Sequence, residues 1–308
     1  MILALLILGV TLLAVPGVVP EPPRRLPARD WTPVALLAMV AGVVALLSGL
    51  TLAALPTVAP VFGISTFADR CREFLAPFAI ESSLIDVLAA GLAIVIASRI
   101  ALRIAQSARA ARRARIEPWL GEHERRHGFD LVVVPTDRIL AFGVPGRTPQ
   151  VVLSTGLSER LSADELDAVV GHEAAHLRLH HPALVAVLHG IDAGVGILPF
   201  VAHSVRRLLT GLEVWADAAV DIDAAGSRRD ALCTALACVT DPAIIRGAPA
   251  DAETRISRLQ WALRPRPVYA RSVVYASIVT LSVVVAVVAV GWFTDAHHAV
   301  ALGAECVH

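Results

Sequence analysis

The sequence predicts a mainly α-helical membrane protein in which four transmembrane helices carry an α+β domain, placed between the third and the fourth. Three observations predict this. The 308 residues are 56% hydrophobic and 18% charged, with a mean hydropathy of +0.66, where an ordinary soluble domain has roughly 45–50% and about 25%. The apolar excess lies in four blocks, 2–19, 33–55, 84–102 and 273–293, each close to the ~20 residues that cross about 30 Å of hydrocarbon. Between the last two blocks the chain turns polar, and short β-branched runs alternate with helical patterns.

The first block lacks the basic start and small-residue cleavage site of a signal peptide, so it reads as an anchor. Arginines orient the spans. Arg24, Arg25 and Arg29 follow the first block, Arg99 to Arg115 follow the third, and Arg264, Arg266 and Arg271 precede the fourth. The loop 56–81 holds only Arg70 and Arg72. Because basic residues stay in the cytoplasm, both termini and that loop are expected outside a multi-pass cell membrane. The division is then three spans in 1–104, a cytoplasmic domain in 105–268, and the fourth span with a short external tail in 269–308.

A further apolar stretch, 183–201, contains His189, Asp192, Pro199 and three glycines, which are poor choices facing lipid. It reads as a helix pair packed at the membrane surface or against the spans, with a re-entrant element as the alternative.

The charges, 27 basic and 27 acidic, cancel, so no direct nucleic-acid partner is implied. Every basic residue is arginine. Without lysine, neither the phosphate loop ending in Gly-Lys-Ser/Thr nor a Ser-x-x-Lys nucleophile can be present.

In the cytoplasmic portion, 105–115 continues the third span as a basic helix until Pro118. Runs 131–135 and 150–154 read as strands, with another strand and a turn within 138–146. A helix then starts at Ser162 and Glu165, which form a Ser-x-x-Glu capping box, with Asp164 adding negative charge in the first turn. Pro182 is expected to end it.

That helix carries His172, Glu173 and His176, an HExxH motif. On a helix, residues four apart share a face, so both histidines can address one metal, and Glu173 beside them can take a proton from metal-bound water. The same pattern occurs at His123, Glu124 and His127. There Arg125 and Arg126 stand between the histidines and glycines flank them, which describes a solvated surface. The second motif has Ala174 and Ala175 inside it and Val169 and Val170 before it, so its helix can be buried. A catalytic zinc takes three protein ligands and leaves one position to water. Downstream the candidates are Glu213 and Glu253. Glu213 opens EVWADAAVDIDAA, its apolar neighbours suggest burial, and Asp217 lies one turn on, placed to orient a ligating histidine. The zinc ligands are therefore expected to be His172, His176 and Glu213, with Glu173 catalytic, in a zincin-like metallopeptidase domain. The oxyanion donor is open; His203, Arg206 and Arg255 qualify by type alone.

In this order of spans, strands, DELDAVVGHEAAHLRLHH, EVWAD and fourth span, the chain resembles the BlaR/MecR-type zinc metallopeptidases. A weaker similarity is to membrane peptidases of the HtpX and CAAX-processing type. The first resemblance implies the same zinc ligands, Glu173 as general base, Asp217 behind them, and a signalling role in which a cytoplasmic BlaI-type repressor is cleaved. The HtpX-like alternative implies quality control of membrane proteins. The chain departs from the BlaR/MecR pattern at His181, where Asp is frequent, and at Ala216, where Cys is. It also has only 294–308 after the fourth span, where a penicillin-binding domain would follow.

Expected partners are thus the repressor and the lipid bilayer, and a homodimer is compatible with the sequence. Cys233 and Cys238 read as small core residues. Cys71 and Cys306 both fall outside, where a disulfide between them is open to them. His297, His298 and His308 read as a solvated tail.

Overall fold

The computed structural model describes residues 2–18, 28–58, 83–114, 121–126, 128–220, 231–232 and 234–235. The expected fourth span at 273–293, the cysteines Cys71, Cys233, Cys238 and Cys306, and Glu253 and Arg255 lie outside them.

Three apolar helices come first: α1 (Ile2–Val18), α2 (Ala28–Val58) and α3 (Ser83–Arg113). Two of them, over Asp30–Leu55 and Leu84–Arg113, are long and apolar enough to cross a membrane, whereas Ile2–Gly17 is shorter. α1 and α2 pack closely because glycines lie at their contact: a Cβ on Gly9 would lie 2.9 Å from the Gly42 carbonyl, and one on Gly49 2.9 Å from the Leu6 side chain. α1 is thus a full helix sealed against α2. α3 is instead bare, presenting Leu88, Leu92, Ile94 and Val95 to its surroundings. As expected, it runs on as a basic helix to Arg112 and Arg113.

A four-stranded sheet follows, made of β1 (Glu122–Arg126), β2 (Phe129–Val134), β3 (Ala141–Val144) and β4 (Gln150–Ser154), in the order β1-β2-β4-β3. β2 and β4 pair in parallel and form the centre; β1 and β3 are antiparallel edges. β4 is buried along its whole length, as a central strand of Val and Leu should be.

β1 is the first departure from expectation. Of the first HExxH, His123 and Glu124 lie on a strand and not on a helix, and His127 lies outside the described residues. His123 is exposed, so its reading as a surface histidine holds although the element differs.

Helix α5 (Ala163–Arg178) follows the short helix α4 (Thr155–Ser158). Its capping box is as expected: the Glu165 carboxylate accepts the Ser162 N–H at 2.8 Å, and Ser162 Oγ accepts the Glu165 N–H. Its end is not. α5 stops at Arg178, and Pro182 instead sits in the first turn of α6 (His181–Val195), where its missing N–H costs nothing. The reversal is made by His180, whose φ is +57°.

α6 and α7 (Pro199–Val220) are the helix pair expected over 183–201. They pack on α1, α2 and α3 in one apolar cluster containing Leu13, Met39, Ile96, Ile191, Val205 and Leu212. Helix α5 and the apolar helices α1 and α2 are therefore joined through α7, which packs against all three.

Candidate metal centre

The site forms where α5 crosses α7. Small residues allow the approach: Ala175, Ala216 and Ala219 are buried together, and a Cβ on Gly171 would stand 3.6 Å from Val220. The crossing brings the expected residues together. His172 Nε2 and His176 Nε2 are 3.0 Å apart, and the Glu213 carboxylate is 3.5 Å from each. Donors bound tetrahedrally at ~2.0–2.1 Å stand about 3.3 Å apart. Two imidazoles and one carboxylate at these separations fit zinc and leave a fourth position for water. Among the described residues this is the one group of three such side chains close enough to hold a metal ion.

Asp217 is where its spacing from Glu213 predicts. Its carboxylate is 2.9 Å from His172 Nδ1, on the side of the ring away from Glu213. Burial, the largest single effect, pushes the His172 pKa down, but the hydrogen bonds to Asp217 and Glu213 and the charges of Asp217 and Glu173 together outweigh it. The net result is a pKa raised to about 9.

Glu213 departs from expectation. Its side chain is 38% exposed, because the apolar neighbours Leu212 and Ala216 occupy the buried faces of α7. His203 and Arg206 do not reach the site. They lie ten and seven residues before Glu213, about 15 and 10 Å along the helix axis, and His203 packs beside Gly17.

The role of His181 was not legible in the sequence. This side chain is fully buried, its Nδ1 is 2.9 Å from His176 Nδ1, and its ring is 5.1 Å from that of Trp215. Burial, with the charge on His176 next, pushes its pKa down to about 4, so it is a neutral partner for His176 Nδ1, and it accepts the Nδ1–H in the tautomer that leaves His176 Nε2 free for a metal. Each imidazole of the cluster thus has its second nitrogen occupied, that of His172 by a carboxylate and that of His176 by an imidazole. The available signal was Pro182, which starts a helix and turns His181 inward.

Glu173 follows His172 on α5, beneath edge strand β3. Gly143 of β3 comes so close that a Cβ there would lie 3.4 Å from the Glu173 carbonyl.

This geometry agrees with what the chain is similar to. Residues 106–212 match the profile of Peptidase family M48, a segment that ends one residue before Glu213. Protease HtpX of Thioalkalivibrio sulfidiphilus is 34% identical over 104 residues, 30% of this chain and 35% of that protein. Protease HtpX of Xanthomonas euvesicatoria pv. vesicatoria is 36% identical over 84 residues, 24% and 29% of the two chains. A Protease HtpX homolog of Levilactobacillus brevis is 33% identical over 64 residues, 21% and 22%. The matched parts thus span about a third or less of these relatives. No solved structure matches the chain. Together these findings support a metallopeptidase of the membrane type. They lend no support to the BlaR/MecR antirepressor reading or to a repressor as substrate.

Proposed function

We propose that the chain is a membrane-anchored zinc metalloendopeptidase that acts, like the HtpX proteases it resembles, in the quality control of membrane proteins, with its peptidase domain in the cytoplasm. The observation that carries this reading is the His172–His176–Glu213 cluster, spaced for a tetrahedral ion, with Glu173 on the same helix.

His172, His176 and Glu213 would hold the zinc, and metallopeptidases of the matched family are generally zinc-dependent. Bound there, zinc supplies Lewis acidity and lowers the pKa of water toward ~7. Asp217 and His181 fix the two imidazoles so that Nε2 of each faces the ion. Glu173 accepts the proton of the attacking water and returns it to the leaving amine, which breaks the peptide bond and leaves a carboxylate and an amine. A substrate segment extended along β3 passes over Glu173, because β3 is an edge strand with one side of its ladder open among the described strands. Exposure of Glu213 leaves the mouth of the site accessible to a polypeptide.

The test is Glu173→Gln. It should keep the zinc and the fold yet lose cleavage of a denatured membrane protein by about 10²-fold or more, and cells carrying it should accumulate misfolded membrane proteins. Undiminished cleavage would remove the mechanism. A defect confined to transcription of a few genes would instead return the antirepressor reading.

A further inference from the structure

We infer that the turn between α6 and α7 is buried in the hydrocarbon layer, so that these helices form a shallow re-entrant hairpin tipped by Ile197 and Leu198. The inference rests on α2 and α3 crossing a bilayer, and is independent of catalysis.

The depth follows from packing. A Cβ on Gly190 would meet Ile104 at 3.0 Å, and one on Gly194 would meet Ile100 at 2.6 Å and the Ile96 carbonyl at 3.3 Å. α6 therefore descends along α3 in the opposite direction. One more turn sets Ile197 level with Leu92 to Val95, well inside the apolar block of α3 and beside its bare face. α7 then climbs back: Ser204 lies beside Gly17, Arg207 Nη1 donates to the Gly17 carbonyl at 3.2 Å, and Gly211 faces Thr32.

Side chains change at the matching level. From 193 to 202 the sequence is AGVGILPFVA, without one polar or charged side chain. Asp192 and His203 flank it at nearly equal distance from the turn, level with Arg99. Arg103 and Arg206 follow just above, both exposed, as expected of arginines at an interface. Five residues of helix from Asp192 put the tip about 8 Å deeper. Ile197 is 91% exposed, more than any other large hydrophobic side chain among the described residues.

Backbone bonding fits a dry setting. Hydrocarbon tolerates a turn only where its polar groups find partners. Gly196 N–H donates to the Asp192 carbonyl at 2.8 Å and Leu198 N–H to the Val195 carbonyl at 3.1 Å. Pro199 has no N–H to satisfy. The Ala193 carbonyl, in the last turn of α6, accepts from Arg99 Nε at 2.6 Å.

The occupant facing Ile197 is thus the acyl chain of a lipid. To test it, the native cysteines are replaced by alanine and a nitroxide is attached through Ile197→Cys in the full-length protein. The protein is reconstituted in phosphatidylethanolamine–phosphatidylglycerol vesicles. Collision with oxygen, which partitions into lipid, is compared with collision with a water-soluble nickel chelate. Labels at Ile94→Cys and Glu159→Cys supply the lipid and water references. The oxygen-to-nickel ratio at Ile197 should approach that at Ile94 and exceed that at Glu159 several-fold. A ratio like that of Glu159 overturns the inference. So does protection from both reagents, with the unlabelled Ile197→Cys variant forming a disulfide between two chains, which would mean a second copy covers the turn. A watery reading at Ile94 would remove the membrane premise itself.

Discussion

Asp217 stands 2.9 Å from Nδ1 of His172, and this contact sets both the orientation and the charge of the imidazole. Both residues are nearly excluded from water, at 2% and 8% side-chain exposure. Asp217→Asn should therefore lower zinc affinity about 10- to 100-fold, the usual cost of losing such a partner. Competition with a chelator measures this. Unchanged affinity would mean that Asp217 merely fills space.

Proton competition is the second expectation. In the metal-free protein the His172 pKa is raised from 6.5 to about 9. A raised pKa contributes stability to the metal-free fold that is full below about 6.5 and lost as pH rises through about 9. Metal binding has the opposite sign, because the ligand must be neutral. Apparent zinc affinity should climb about tenfold per unit between about pH 6.5 and 8.5. A flat profile over that range would show that His172 is already neutral.

The two HExxH motifs should separate cleanly. His123→Ala should leave zinc content unchanged, since β1 holds that residue on an exposed edge. His172→Ala should abolish binding. Metal analysis of the two purified variants decides, and loss at His123 with retention at His172 would invert the assignment.

Ser162→Ala removes a cap that satisfies donors at both ends of the box. It should cost about 1 kcal/mol of stability, read from denaturant midpoints, and leave zinc affinity unaltered because the cap lies more than two turns from His172.

Much of this arrangement could be read from the residues. His172 and His176 share a face by helical period alone, Asp217 follows Glu213 by one turn, and Ser162 with Glu165 announces a helix start. β4 was legible as a β-branched run between Pro149 and Thr155. What could not be read depended on partners distant in sequence. EHERR has no strand character of its own; β1 exists because it pairs with β2, which begins just after Gly128 with φ +90°. Pro182 can end one helix or begin the next, and His180 decides between them through its backbone. The outlook of Glu213 depends on which face of α7 the spans cover, which apolar neighbours alone do not tell.

Helix α7 runs unbroken for 22 residues, and this makes it a single stiff rod. Its foot is beside the turn at Ile197 and its upper half carries Glu213 and Asp217. From Phe200 to Glu213 the rod is about 20 Å long, and a rod that cannot bend delivers axial displacement at one end undiminished to the other.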